Sequence, residues 1–465
     1  MIQLIKNINK IILLSTLIIL NPISHSKVVA QDITKVLLEI PSSINPVGSG
    51  SRSLGMGGAF IAVADDATAA SWNPGALLQL ERPEISIVQG YVHRKEGNRF
   101  TNNPESQAVE TIDKSSINYL SVVSPHFEWK GYHMIASINY QHLYDFSRNW
   151  DLLFNDTIPG LNKLEQIYYE QDGALYALGV SLCAKIFPDF SAGLTLNYWG
   201  DVFSKNRWTQ RYLYNQKIIL NGNVGFTYEN KKEIYSFSGE NIVMGFRWKI
   251  NENWVLGGVF KSSFKADIDH QIIRNGESID ESDPQNKAII SQKLNDNKKL
   301  KMPMSYGLGV SYCFYEDFNL IFSDKYSNEL TLSGDFYVTQ WDDFYFETPQ
   351  GVKISPISGK NLAQSNISPT TWFRLGVEYL IISQENNFTI PLRAGVFYDP
   401  APAEKTPDNY YGFSLGSGLA YKRYVFDIAY QFRFGDDVGK SSLQTRGFSQ
   451  KVREHTIFSS LIIHF

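Results

Sequence analysis

Cysteine is nearly absent from this chain, which has only Cys183 and Cys313 among its 465 residues. The two fall on different predicted strands, each on a face shared with glycine and serine. We therefore interpret both as thiols that face an interior, rather than as a disulfide or part of a metal site. We expect no metal and no cofactor.

Long apolar runs are also missing beyond the N-terminus. A membrane-spanning helix needs about 20 consecutive apolar residues, so a helical membrane protein is excluded. The net charge of −4 gives no reason to expect nucleic-acid binding. The sequence has no Pro/Ser-rich linker and no change of period, so nothing divides it into the several domains that its length would suggest for a soluble protein.

The N-terminus predicts export. Lys6 and Lys10 precede an apolar run at 11–20, and Val28-Val29-Ala30 places small residues at a cleavage site. This pattern is typical of a secretory signal peptide, here 1–30, cleaved near Ala30.

Aromatic residues make up 14% of the chain, with 26 Tyr and 29 Phe. From Tyr424 to Phe434, apolar and aromatic residues alternate with a face that carries Asp427 and Arg433. The same alternation recurs along the chain, as expected of strands with one face in lipid. It predicts strands at 84–95, 114–124, 131–144, 171–186, 190–205, 240–250, 254–268, 301–315, 318–332, 368–382, 389–400, 409–421, 424–435 and 453–465.

These strands are joined alternately by short turns and longer polar segments, the asymmetry of bacterial barrels. The sequence thus predicts an all-β fold, a 14-stranded antiparallel transmembrane β-barrel over 84–465. The segment 206–239 is the least regular, and extra strand there would extend above the membrane. The last strand ends on Phe465, which resembles the signal read by barrel-insertion machinery.

Residues 31–83 do not alternate like membrane strands. They contain a glycine-rich stretch with Gly55, Gly57 and Gly58, and then Asp65 and Asp66. A phosphate-binding loop is excluded, because no strand precedes the glycines and no Gly-Lys-Ser/Thr follows them. We expect a plug in the lumen, where glycine lets backbone approach the wall. Asn73-Pro74-Gly75 has turn chemistry and would end the plug before the first strand.

This N-terminus resembles the FadL family of outer-membrane channels for long-chain fatty acids and other hydrophobic molecules. The matching elements are Gly55 to Ala59, Ala64-Asp65-Asp66-Ala67 and Asn73-Pro74-Gly75; 373–379 and 391–400 are also similar. Gly75 stands where the family usually has Ala, and we expect the glycine to loosen the turn. The resemblance implies a 14-stranded barrel with an N-terminal hatch. Relatives that do not carry fatty acids share the hatch pattern, one of them a barrel of a secretion route.

The resemblance also implies a path for a lipid-like substrate. It would pass from a loop groove to a pocket above the hatch and leave sideways beside a kink in the third strand, here 131–144. Arg374 and Arg393, on the predicted lumen face, are candidates to bind a carboxylate, with Glu378 beside them. The alternative is that both arginines pair with Glu378 and Asp427 inside the lumen.

Other functions find less support. Gly412 to Gly416 matches Gly-x-Ser-x-Gly but lies within a predicted strand, so we expect no enzyme. A scaffold that binds a secretion partner through 206–239 or 269–300 remains the alternative to transport. Leu161, Leu164 and Ile167 have helical spacing and predict a short loop helix. We expect a monomer in the bacterial outer membrane whose partners are a hydrophobic small molecule such as a long-chain fatty acid, membrane lipid and the insertion machinery, with no nucleic acid.

Overall fold

The computed structural model describes residues 49–314, 327–443 and 446–465. The predicted signal peptide, residues 31–48 of the predicted hatch and the start of the predicted strand 318–332 lie outside these ranges. In the part described, no helix is long and apolar enough to cross a membrane.

Strands account for most of the described chain. In order they are β1 Glu84–Phe100, β2 Ala108–Val123, β3 Phe127–Trp129, β4 Tyr132–Asp145, β5 Arg148–Ile158, β6 Leu161–Phe187, β7 Phe190–Trp199, β8 Arg207–Leu220, β9 Asn223–Lys249, β10 Trp254–Lys261, β11 Phe264–Asp280, β12 Asp283–Met302, β13 Ser305–Phe314, β14 Ser327–Thr339, β15 Tyr345–Glu347, β16 Lys353–Ile354, β17 Thr370–Ser383, β18 Phe388–Tyr398, β19 Tyr411–Tyr421, β20 Tyr424–Val438 and β21 Phe448–His464. The helices are α1 Ser51–Gly55 and α2 Ala69–Trp72, with 3₁₀ turns at Pro74–Gln79, Pro104–Ser106, Trp341–Asp343 and Leu362–Gln364.

Fourteen of the strands close into an antiparallel barrel, which confirms the predicted fold class. The barrel order is β1, β2, β4, β6, β7, β9, β10, β13, β14, β17, β18, β19, β20, β21. The last strand pairs with the first from Glu84 opposite His464 to Phe100 opposite Phe448. Because the last strand pairs with the first, the barrel has no free terminal strand.

Side chains alternate between the two faces of the barrel wall as predicted. On β17, Phe373 and Leu375 are 52% and 62% exposed, whereas Arg374 and Glu378 are 4% and 1% exposed. The apolar side chains thus form the outer belt, and the charged ones face the lumen. Cys183 is buried on the lumen side, and neither cysteine forms a disulfide within the described chain.

Beyond the barrel, on the side of the long connections, six strands form a second sheet that we call the rim sheet. Its order is β5, residues 161–174 of β6, β8, residues 223–238 of β9, β11 and β12. The inner face buries Trp208, Phe237 and Ile268 in a cluster with Trp341 and Phe344. The sheet therefore packs against the other loop segments.

The rim sheet corrects three sequence predictions. The loop helix predicted at 161–170 is wrong, because this segment pairs on both sides as the start of β6. The segments 206–239 and 269–300, predicted as loops, form β8, the upper part of β9, β11 and β12. Extra strand above the membrane at 206–239, which the sequence left open, is present.

Candidate functional site

Residues 49–83, which we call the lumen segment, contact several sides of the inner wall. Tyr119 on β2 donates a hydrogen bond to the Ala67 carbonyl (2.8 Å). Asp335 on β14 accepts bonds from the backbone N–H groups of Phe60 and Ile61 (2.7 and 2.9 Å). Because these walls belong to separate parts of the barrel, the segment fills the space between them.

The Asn73-Pro74-Gly75 turn is fixed by the Asn73 side chain, which is fully buried. Its Oδ1 accepts from the N–H of Gly75 (3.0 Å), and its Nδ2 donates to the carbonyls of Ile61 (2.9 Å) and Phe246 (2.8 Å). Pro74 then begins the 3₁₀ turn. A single asparagine thus joins the turn, the rest of the lumen segment and strand β9.

The glycines of the lumen segment lie against glycines of the wall. Gly57 and Gly58 have φ of +67° and +76°, which other residues rarely adopt. A Cβ on Gly55 would lie 3.1 Å from the Cα of Gly416. Ser414 on β19 fastens this contact, since its Oγ donates to the Gly55 carbonyl (3.0 Å) and accepts from the Gly57 N–H (2.8 Å). The serine of the Gly-x-Ser-x-Gly match therefore holds the lumen segment.

Charged groups join the lumen segment to strands β17, β18 and β20. Arg52 donates to Glu378 through Nε (2.9 Å) and Nη2 (2.7 Å), and it also pairs with Asp65. Arg393 donates to Glu378 and to Asp427, both at 2.5 Å. Two arginines thus share the buried Glu378 carboxylate, and Arg393 makes both pairings that the sequence offered as an alternative to ligand binding.

Asp66, the second acidic residue of the predicted hatch motif, has a different role. It accepts bonds from the N–H (2.8 Å) and hydroxyl (2.5 Å) of Thr68, just before α2. Burial raises the pKa of Asp66 to about 6, against the opposing effects of Arg52 and the Thr68 hydrogen bond.

Arg374 contacts the lumen segment but not Glu378 or Asp427. Its Nη1 donates to the Gly57 carbonyl (3.0 Å), and its guanidinium lies over the rings of Trp372 and Phe397 (5.3 and 5.4 Å). Arg374 also lines a cavity, whereas Arg393 does not.

The barrel wall has a gap between β2 and β4. These strands pair only from Tyr119 to Val123, whereas the other β2 edge pairs with β1 from Ala108 onward. The register shifts show bulges at Asn118 on β2 and at Leu143 on β4. A bulge bends its strand, so the two strands separate where these residues lie.

A cavity of about 100 Å³ lies at this gap, and we call it the outlet cavity. A water molecule needs about 10–15 Å³ on such a measure, so the space admits more than one small group. The lumen segment contributes Leu54 and Trp72, and the wall contributes Arg374. The gap itself contributes Ile112, Lys114, Ser116, Asn118, His142, Leu143, Tyr144 and Asp145.

A second cavity of about 60 Å³, the inner cavity, lies toward the rim sheet. Trp199, Phe264 and Trp341 line it, together with Ala70 and Ser71 of α2. Leu143 and Tyr144 line both cavities, so the bulged segment of β4 is the partition between them.

The His142 side chain ties the two edges of the gap together. Its Nε2 lies 3.1 Å from the Tyr144 carbonyl, which can only accept, so Nε2 carries the proton in the neutral ring. Nδ1 is then an acceptor for the Ser116 hydroxyl on β2 (3.1 Å). Lys114 on β2 also reaches Asp172 on β6 (2.7 Å).

These features define a transmembrane β-barrel that holds the lumen segment inside it and whose strand pairing is interrupted between β2 and β4. Sequence reasoning did not single out Asn118, His142 or Leu143. A bulge depends on which residues face each other across two strands, and a single-strand pattern does not contain that information.

Two solved structures share this architecture. A FadL homologue from Pseudomonas aeruginosa matches with a TM-score of 0.54 at 13% identity, over 91% of this chain and 99% of that one. The toluene transporter TodX from Pseudomonas putida gives 0.53 at 12% identity, over 91% and 100%. The chain therefore has the FadL and TodX fold, as the sequence resemblance predicted. No protein-family model and no curated protein matches the sequence.

Proposed function

We propose that this protein is an outer-membrane channel for hydrophobic molecules and that they leave through the gap between β2 and β4. The observation that carries the proposal is the outlet cavity, which is lined both by the lumen segment and by the two edges of the gap. The name of the TodX structure, a toluene transporter, describes the same kind of cargo for that protein.

The proposed route follows the two cavities. A molecule enters the aromatic inner cavity, passes Leu143 and Tyr144, reaches the outlet cavity and moves sideways into lipid. An acyl chain gains about 0.8 kcal/mol for each CH₂ that stays out of water, which favours this route over a water-filled pore. The lumen segment acts as the hatch that blocks the straight path.

We propose a long-chain fatty acid as a substrate and Arg374 as the residue that meets its carboxylate. Arg374, Lys114 and Arg94 bring positive charge to the outlet cavity, and Asp145 and Glu454 are its carboxylates. The apolar part of the lining includes Leu54, Trp72 and Ile112. Such a mixture suits an amphiphile. Arg393 and Glu378 are instead given an anchoring role, because their pairs hold Arg52 of the lumen segment. We also propose that the protein is exported with cleavage near Ala30 and that it functions as a monomer.

Deleting Leu143 tests the exit route. Removal of the bulged residue restores a regular register, so β4 can continue its pairing with β2 and close the gap. Cells that depend on this protein should then lose uptake of a fluorescent long-chain fatty acid, and of toluene, by at least tenfold.

The matched control is deletion of Ile186, which removes the irregularity in the β6 and β7 pairing at the other end of the barrel. This variant should keep its uptake. Both variants are first checked for the heat-resistant mobility of a folded barrel. Unchanged uptake after loss of Leu143 in a folded barrel would contradict the exit route. Copurification of a partner protein, without binding of either probe, would favour the scaffold.

A further inference from the structure

A group of four cations lies on the outer surface of β1 and β21, and we call it the basic patch. It consists of Lys95, Arg99, Lys451 and Arg453. Lys95 and Arg453 are directly opposite each other, and Lys451 is opposite Gly97 one step further along the same face. Lys95, Arg99 and Lys451 are exposed to solvent, and Arg453 packs over the Phe434 ring at 5.5 Å.

The patch lies immediately above the apolar belt. On β20 the lipid-facing residues run from Tyr424 to Phe434, and Phe434 is paired with Arg453. At about 3.4 Å per residue and a tilt of about 40°, this interval is roughly 26 Å tall, close to the apolar band of outer-membrane barrels. The side chains that follow on the long-loop side therefore lie at the depth of the outer lipid headgroups.

Nearby carboxylates leave the patch positive. Arg453 donates a hydrogen bond from Nη2 to the carboxylate of Asp436 (3.0 Å). Asp113 is bound by the Tyr91 hydroxyl (2.6 Å) and lies 2.8 Å from His93 Nδ1. The four cations thus have two carboxylates near them, and one of these, Asp113, is already bonded to Tyr91 and close to His93.

The pairing of Lys95 with Arg453 lowers the stability of the folded protein when no lipid is bound. Like charges directly opposite each other on neighbouring strands are destabilising. Lys95 lies opposite Arg453, and the carboxylate of Asp436 offsets this repulsion only in part, because it binds Arg453 and not Lys95. An anion shared between them would remove the repulsion. Arg and Lys are the usual partners of phosphate, with Arg offering several donors in one plane.

We propose that the basic patch binds the phosphate groups of an outer-leaflet lipid. The occupant is a lipid rather than a soluble anion because the patch adjoins the belt, so acyl chains can lie along Tyr91 and Ile457 while phosphates meet the cations. This inference is independent of the substrate route and rests only on the barrel standing in an outer membrane.

Native mass spectrometry of the full chain in an uncharged detergent tests the proposal, with bisphosphorylated lipid A as the probe. The variant is Lys95→Gln, Lys451→Gln and Arg453→Gln combined. At about fivefold for each cation near a charged lipid surface, the loss in affinity should approach 100-fold at low salt. Inorganic phosphate at the same concentration should not compete with lipid A.

The matched control removes three exposed lysines from the outer face of the rim sheet, by Lys217→Gln, Lys232→Gln and Lys293→Gln. It changes net charge equally, so its lipid A affinity should stay within twofold of the parent. The thermal midpoint without lipid shows that each variant is folded. Equal losses in both variants, equal binding of an uncharged lipid, or competition by phosphate would overturn the proposal.

Discussion

At the scale of single residues, Gly75 shows how closely the lumen segment approaches the wall. A Cβ at this position would lie 2.5 Å from the Cα of Phe246 and 2.6 Å from the Gly245 carbonyl oxygen. Glycine is required here by the space and not by its backbone angles. The turn pattern in the sequence indicated a bend, but the closeness of β9 depends on a residue 170 or more positions away and could not be predicted.

Gly75→Ala is therefore expected to destabilise the folded protein by about 1–3 kcal/mol, the usual cost of overfilling a packed site. Thermal unfolding of the purified barrel measures it. Gly97→Ala is the control, because a Cβ there meets its nearest neighbour at 3.6 Å. Equal thermal midpoints for the two variants would show that the wall yields at Gly75.

Glu378 carries the second prediction at this scale. Glu378→Gln leaves the half-buried Arg52 and the buried Arg393 with one carboxylate fewer, and breaking a buried pair such as Arg393–Glu378 costs about 3–5 kcal/mol. The lumen segment should loosen, which would appear as larger and noisier single-channel conductance in planar bilayers. Glu385→Gln, in the exposed turn after β17, should match the parent. Quiet, parent-like traces from Glu378→Gln would argue against an anchoring role.

At the scale of elements, the sequence predicted the barrel strands well and the rim sheet poorly. Barrel strands have one face in lipid, which forces a strict apolar alternation on residues such as Phe373 and Leu375. The rim strands have water on one face, so their alternation is diluted, as in Asn149 to Asn155. At 161–170 the apolar residues fell by chance into helical spacing, and pairing with β5 and β8 decided the outcome.

The edges of the gap yield a prediction at the same scale. Ser116→Ala removes the donor to His142 Nδ1 and frees β2 from the bulge of β4. A hydrogen bond contributes about 1 kcal/mol, so the open state should gain roughly fivefold. We expect the maximal uptake rate to rise while the half-saturating concentration changes little.

Ser116→Thr keeps the hydroxyl and should restore the parent rate. Ser115→Ala is the control, since Ser115 bonds to Gln89 rather than to His142. If the alanine variants of Ser115 and Ser116 show the same uptake, the hydrogen bond does not hold the gap.

At the scale of the whole molecule, closure of the barrel depends on its last strand. Phe465 is 63% exposed at the short-turn end, and its N–H bonds to the Pro83 carbonyl (3.0 Å) just before β1. The sequence predicted a role in insertion for this residue, and its exposure leaves the ring accessible to another protein.

We expect Phe465→Ala to lower the amount of folded barrel in the outer membrane severalfold, while the thermal midpoint of the assembled fraction changes little. Heat-modified gel mobility of membrane fractions measures the yield. Phe187→Ala removes an equally exposed ring from the same end, at the β6 turn, and should assemble normally. Similar yields from the two variants would remove the special role of the terminus.

The hydrogen bonds that hold Gly55 and Gly57 to Ser414 join residues 359 and 357 positions apart. Ser414 is thus synthesised long after Gly55 and Gly57. Contacts of such long range fold slowly, because loop-closure entropy must be overcome before they form. The lumen segment therefore waits without these contacts until β19 has been synthesised, and this waiting time sets a lower limit on the time that the protein needs to mature.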